Sequence, residues 1–417
     1  MAARLRAGFV LILSALLLGG CWGYNEVNDL AFVAVAALDR RPEGGYRWTV
    51  AVPVPELVLP ASVGGGGAGT AGGVTRTNLF RSATGPAPRA AAQALDAAIP
   101  REVRWSFADH ILVGEAVART GLLPLLEMIS RGYRVERRAS LYVVRGEAGE
   151  LLTQLQPALD RSLARSFDAL TRKNRPGTLR GVDGNTVLRW LDTPGTDPFL
   201  PVVTSAQASG AVSPAPGGIA LFRRDRLAGF LSPPLDNGLL MARGEAHPFT
   251  MVVACPAGTG AARAAAGTGR GAGAAVVSLQ VDRNKARIRV VGSGTAAGVA
   301  GAPASPGGGA MPRLQLQVDL AGVVLEWQCP DGRVDLARVR AVGQAAAQQA
   351  RAQIRAALER SASLGVDPVG FGAALYRQDP RAWRAVQTQW RQRLRDLRPE
   401  VVVTFHVRGY QLTASAP

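Results

Sequence analysis

The first twenty-one residues decide how much of this chain is left to fold, and on which side of a membrane it does so. Arg4 and Arg6 open a leader whose apolar stretch runs from Phe9 to Leu18, and Leu18-Gly19-Gly20-Cys21 closes it. A basic start, a short apolar core and small residues before a cleavage point are the layout of a secretory signal. That core is far short of the roughly 20 residues needed to span a bilayer. Leu18, Gly19 and Gly20 ahead of Cys21 resemble a bacterial lipobox, the peptidase recognition site after which the cysteine becomes a lipidated N-terminus. An ordinary signal peptide with a cysteine nearby does not account for small residues at both positions before Cys21. Residues 1–20 are therefore expected to be removed. No cofactor is expected beyond covalent acyl groups, diacylglycerol and palmitate, on Cys21.

The remaining chain is long enough for two or three domains of about 100–200 residues each. No later stretch approaches about 18 uninterrupted apolar residues, so attachment to the membrane is expected through the N-terminus alone. The formal charge of +17 first suggests nucleic acid, but Lys173 and Lys285 are the only lysines and the arginines are scattered among Ala, Gly and Val. Nucleic-acid binders cluster their cations on one element or interleave them with exposed aromatics, and neither pattern is visible. No nucleic-acid partner is expected, and the basicity is read as an incidental surface charge that suits anionic headgroups. Cys255 and Cys329 are too few for a disulfide framework or a paired metal site. They can form one bridge in an oxidising exterior. Their positions at the ends of apolar, strand-like runs favour a role as small buried hydrophobes.

Periodicity places the elements. Leu30–Leu38, a Pro/Gly turn and Tyr46–Val54 read as a two-stranded hairpin, with Trp48, Val50 and Val52 alternating. A helix is predicted over Pro88–Ile99, a strand near Phe107–Val113, helical segments over Glu115–Ser130 broken at Gly121, and a strand at Leu141–Val144. The Pro/Gly-rich stretch 192–218 reads as a linker, and Gly218–Leu231 as a small hairpin turning at Arg224-Asp225. Phe249–Ala254, Val276–Val281, Ala286–Val291 and Leu314–Trp327 read as strands, the middle pair turning at Asp282-Arg283-Asn284. Val342, Ala346, Ala350, Ile354 and Leu358 mark a long helix from about Asp335. A second helix opens on Asp379 and Pro380 and carries Trp383, Val386, Trp390, Leu394 and Leu397. Its tryptophans are read as core in preference to a partner-binding stripe. The expected class is α+β, a multidomain mixed α/β chain whose last domain is an antiparallel sheet with long helices on one face. Boundaries are set at 1–20 for the signal, 21–195 for a mixed α/β domain, 196–247 for a small β domain and 248–417 for the α+β domain.

The chemistry expected of an enzyme is missing. His-Glu-x-x-His, Gly-x-Ser-x-Gly and the phosphate-loop pattern do not occur. His110, His247 and His406 are too scattered for a metal site, and each is read as a structural residue. Gly267–Gly273 evokes a phosphate loop, but a strand follows it where a helix N-terminus would be needed. The chain is read as no enzyme, with no metal.

Four motifs then carry a resemblance. They are Cys21-Trp22-Gly23-Tyr24-Asn25-Glu26-Val27-Asn28-Asp29-Leu30-Ala31 with a strand ending in Asp39; Asp109-His110 through Glu115, Arg119 and Gly121; Gly218 through Phe222 to Gly229; and Asp367-Pro368-Val369-Gly370-Phe371-Gly372 with Leu375, Pro380, Trp383 and Trp390. In this order they resemble the Ger(x)C family, the lipoprotein C-subunits of spore germinant receptors. Gly23 stands where the family usually has Asp, and Leu38 precedes Asp39 where Ile is usual. The resemblance implies three mixed α/β domains and a place beside integral-membrane A- and B-subunits of a germinant receptor. It implies a lipid anchor on the outer face of the bacterial or spore inner membrane, and a role in assembly or signalling. The alternative is a solute-binding lipoprotein that captures a small germinant or nutrient. A wall hydrolase is the third reading.

Overall fold

The apolar alternation of the first hundred residues builds the middle of a large mixed sheet. The computed structural model describes residues 26, 29–54, 77–156, 162–171, 181–208, 210–246, 248–255, 275–291, 312–329 and 334–410. The signal region, Cys21 and His247 lie outside them, as does Gly267–Gly273. The run from Leu30 makes two strands, β1 (Leu30–Phe32) and β2 (Val35–Arg40), and β2 pairs antiparallel with β3 (Tyr46–Pro53), Leu38 opposite Trp48. β4 (Asn78–Gly85) extends the hairpin, and its sequence carries no alternating apolar signal because it is the exposed outer strand. Pro88 sits in the first turn of α1 (Pro88–Ala98), where its missing N–H costs nothing, and Ala91, Ala92 and Leu95 pack inward. The Trp48 indole N–H reaches back to the Pro88 carbonyl at 2.8 Å, pinning α1 to the sheet.

β5 (Glu102–Arg104) pairs with β1 in a separate two-stranded sheet. β6 (His110–Gly114) follows, then α2 (Glu115–Thr120), α3 (Leu123–Ser130), β7 (Ser140–Val144), α4 (Ala148–Gln154), α5 (Leu163–Thr171) and α6 (Gly184–Asp192). The break between α2 and α3 falls at Gly121, as the helical pattern predicts. β2, β6 and β7 are parallel neighbours with helices on both faces, so their side chains are buried along all but the terminal Arg40 and Ser140, as such sheets require. One face packs α1, α2, α3 and α6; the other holds a smaller cluster of Leu112, Tyr142, Leu152 and Phe167 under α4 and α5.

The stretch 192–218 is not a linker. It forms most of β8 (Phe199–Ala208) and β9 (Ala211–Arg223), a long hairpin that joins the same sheet, and β10 (Arg226–Leu231) completes the order β10-β9-β8-β7-β6-β2-β3-β4. Pro214 and Pro216 face Ser205 and Val203 in a β8–β9 ladder whose register shifts between Pro201 and Val203, an irregularity of the kind that tolerates proline in a strand.

After α7 (Leu235–Arg243), a second sheet runs β11 (Phe249–Ala254), β12 (Val276–Val291), β13 (Arg313–Trp327) and β14 (Glu400–Tyr410) in that order. Asp282-Arg283-Asn284 is a bulge and not a turn: both halves of β12 pair with the single long strand β13, and the register slips between Val281 and Arg283. α8 (Leu336–Ser363) starts on the Asp335 carboxylate, which accepts from the Arg338 N–H at 2.8 Å, and buries Val342, Ala346, Ala350 and Ile354. The predicted second helix is broken into α10 (Pro380–Val386) and α11 (Trp390–Asp396) by one turn of 3-10 helix, and α9 (Phe371–Gln378) precedes it. Asp379 does cap α10, accepting from the Ala382 N–H at 2.9 Å. The helical crossover returns β14 parallel to β13, while β11, β12 and β13 are antiparallel.

Candidate functional site

The motif from Asp367 to Gly372 forms the centre of a junction between the two sheets. The Asp367 side chain is buried and accepts from three backbone N–H groups, Gly370 at 2.8 Å, Phe371 at 3.1 Å and Gly372 at 2.8 Å. These are donors that the start of α9 leaves without a partner inside the helix. Gly370 holds φ +86°, the left-handed conformation that glycine adopts without strain. Burial pushes the Asp367 carboxyl up to about 6, against the pull of its three donors, and the neighbouring Asp197 carboxylate adds to the rise.

Asp197, just ahead of β8, locks onto this motif. The Asp367 N–H donates to Asp197 Oδ2 and the Asp197 N–H to the Asp367 carbonyl, both at 2.9 Å. Asp197 Oδ1 also accepts from the Arg224 N–H at 3.0 Å, in the turn between β9 and β10. Arg391 of α11 grips both Asp197 oxygens at 2.9 and 3.0 Å, the two-pronged geometry in which guanidinium and carboxylate fit best. Beside them, Gly195 and Gly372 touch backbone to backbone: a Cβ built on either would lie 2.6 Å from the other's Cα. Arg243, at the end of α7, lies against the stacked Trp190 and Phe199 rings, its guanidinium carbon 4.9 and 5.0 Å from their centroids. It also pairs with Glu245 at 2.8 Å and donates to the Pro368 carbonyl. Trp383 and Trp390 are buried and meet edge to face at 5.5 Å, so the tryptophan spacing is a core spacing.

Asp39 and His110, from two of the other motifs, are also engaged. The Asp39 carboxylate, at the end of β2, accepts from Ala148 N–H at 2.7 Å and Gly149 N–H at 2.8 Å and so holds the start of α4; burial raises its pKa against those bonds. His110 is buried, with Nδ1 3.1 Å from the Tyr142 hydroxyl, Nε2 3.0 Å from Asp168 and its ring stacked on Phe167. Burial lowers its pKa, against the pull of Asp168. His406 lies exposed on β14. Cys255 and Cys329 are joined in a disulfide with a Cα–Cα distance of 5.8 Å, tying the end of β11 to the residues after β13. Among the described residues, no three His, Cys, Asp or Glu side chains converge as metal ligands, and no helix is long and apolar enough to cross a membrane.

The His110 environment has a sign that can be checked. The folded state resists protonation while the unfolded chain takes its proton near the ordinary value of 6.5. Stability is therefore expected to fall as pH drops below about 6.5, where the unfolded chain binds more protons. Urea midpoints measured from pH 7.5 down to pH 5 should show a smaller fall for His110→Gln than for the wild type.

The Asp197–Arg391 pair and the Arg243 stack were not legible in advance, because their members lie far apart in sequence and carry no local periodic signal. Asp367 was visible only through its motif. Residues 23–205 match the family described as the spore germination protein N-terminal domain, and residues 217–411 match the C-terminal domain of the spore germination B3/GerAC-like proteins. This chain belongs to the GerAC-like family of spore germination proteins. The GerAC-like chain is 28% identical over 261 residues to YfkR of Bacillus subtilis (strain 168), a protein provisionally named for spore germination. That match takes in 60% of this chain and 64% of YfkR, so the chain spans less than two thirds of this relative's length. The crystal structure of the GerBC protein shares the fold, with a TM-score of 0.50 over 89% of this chain and 96% of that one, at 15% identity. The α+β architecture of this GerAC-like chain is thus a fold already seen in the GerBC crystal structure.

Proposed function

We propose that the chain is a lipid-anchored, non-catalytic subunit of a spore germinant receptor, acting in assembly or signalling. Acyl groups on Cys21 would hold it at the outer face of the membrane, beside integral-membrane A- and B-subunits. The observation that supports this reading is the engagement of the motif residues. Asp39, His110, Asp367, Trp383 and Trp390 hold segments of the fold against one another, and the carboxylates among them are occupied by backbone N–H groups. A general acid or nucleophile needs a group facing a substrate. A fixed shape presented to neighbours does not.

Replacing Cys21 by Ala tests the anchor. The protein is expected to leave the membrane fraction, to lose lipid labelling, and to abolish the spore's response to the germinant its receptor serves. Full membrane retention with unchanged labelling would refute the tether. Mild-detergent purification of the wild type is expected to bring down two integral-membrane proteins, and isolation of the chain alone would count against the receptor reading.

A further inference from the structure

The bulge in β12 sorts its side chains. Before it, Val277, Leu279 and Val281 face the core; after the one-residue slip, Ala286, Ile288 and Val290 do so. Arg283, Lys285, Arg287 and Arg289 consequently stand together on the opposite face, all four exposed. None of their side chains is hydrogen-bonded or ion-paired to another described residue. With alternate residues about 6.8 Å apart along a strand, the four charges span about 20 Å. The cations do cluster on one element here, a pattern hidden in the sequence by arginines that are frequent everywhere.

The neighbouring strands compensate this stripe only in part. Arg289, Arg287 and Lys285 stand opposite Gln315, Gln317 and Asp319 of β13, and Val291 opposite Arg313. Asp319 accepts from the Thr404 hydroxyl, Glu400 accepts from the Gln315 amide at 3.0 Å, and Asp282 pairs with Arg408. Asp282 is neutralised by Arg408, whereas Asp319 and Glu400 meet only neutral donors and keep their charge; set against the four cations and Arg313 they leave the face net positive.

We propose that this face of the C-terminal sheet rests on an anionic bilayer surface, with the phosphates of acidic lipid headgroups as its ligands. Protein–protein interfaces concentrate aromatics, methionine and arginine at their centres and deplete lysine. The β12 stripe has arginines but also an exposed lysine and no aromatic or methionine among the four, a row of charge without the apolar anchors of such a centre. A headgroup layer requires only positive charge held near its plane. The proposal takes its setting from the tether at Cys21 and does not depend on the receptor role.

Lys285 is one of two lysines in the chain, which makes it a probe. The mature protein, extracted from membranes, is placed on vesicles of neutral phosphatidylcholine or on vesicles with about one-third phosphatidylglycerol. A water-soluble amine reagent is added and modification of Lys285 is read by mass spectrometry. Attachment to neutral vesicles reports the tether; an untethered chain would bind only the anionic ones. Modification of Lys285 is expected to fall at least about fivefold on anionic vesicles relative to neutral ones, and to recover in 0.5 M salt as the surface charge is screened. The triple variant Arg283→Gln, Arg287→Gln, Arg289→Gln should label equally on both. Equal labelling of the wild type on both vesicles would overturn the proposal, and so would protection that survives in the triple variant.

Discussion

Replacement of Asp367 by Ala is expected to lower stability by about 3 kcal/mol, since a buried donor left without an acceptor costs about 1–3 kcal/mol. Three N–H groups, of Gly370, Phe371 and Gly372, lose their acceptor at a site closed to water. Relief from a buried charge offsets part of that loss. Amide exchange at those three positions should rise together with the fall in the urea midpoint, which separates loss of the cap from general loosening. Asp367→Asn keeps one acceptor oxygen and should cost less. It should also remove a pH dependence. With a folded pKa of about 6, raised from 3.8, the wild-type carboxyl binds its proton before the unfolded chain does. Acidification between about 6 and 4 therefore stabilises the wild type through this residue, and that contribution is lost as pH rises through 6. The Asn variant should lack it. An unchanged slope in Asp367→Asn would mean that the carboxyl is ionised throughout.

The second large effect is expected at the glycine contact. A methyl group added by Gly372→Ala would lie 2.6 Å from the Gly195 Cα, 2.8 Å from its carbonyl oxygen and 2.9 Å from the Trp390 ring. Two of these three neighbours are backbone, so no rotamer change relieves the clash. Overpacking of this kind costs about 1–3 kcal/mol, and here it also strains the Ala373 N–H to Gly195 carbonyl bond of 3.1 Å. The urea midpoint should fall accordingly, with lower steady-state protein in the cell. Gly409→Ala, where nothing lies within 4 Å of the added carbon, should stay within about 0.5 kcal/mol of wild type. A similar loss in both variants would show that chain stiffness, and not the contact, sets the effect.

Much of the fold could be read in advance where one element repeats its own pattern. The β2–β3 hairpin, α1, the break at Gly121 and the long α8 follow from alternation, four-residue spacing and end signals. The failures share a cause. β4 has an exposed, mixed pattern because it lies at an edge. The β8–β9 hairpin reads as a linker from sequence because its prolines and glycines suggest irregular chain, while the tolerance that admits them comes from the pairing partner. The bulge in β12 reads as a turn because Asp282-Arg283-Asn284 has turn chemistry, and only the length of β13 opposite it decides otherwise.

By itself the sequence determined the periodic elements, the α+β class, and the family through four ordered motifs. Local apolar spacing and helix-end chemistry act over a few residues and are written in order along the chain. The tertiary structure alone decided that one sheet continues from β4 to β10, that Asp197 meets Asp367 and Arg391, and that β12 turns four cations to one side. Those outcomes depend on strand register and on contacts between residues as many as 194 positions apart, where no local pattern reaches.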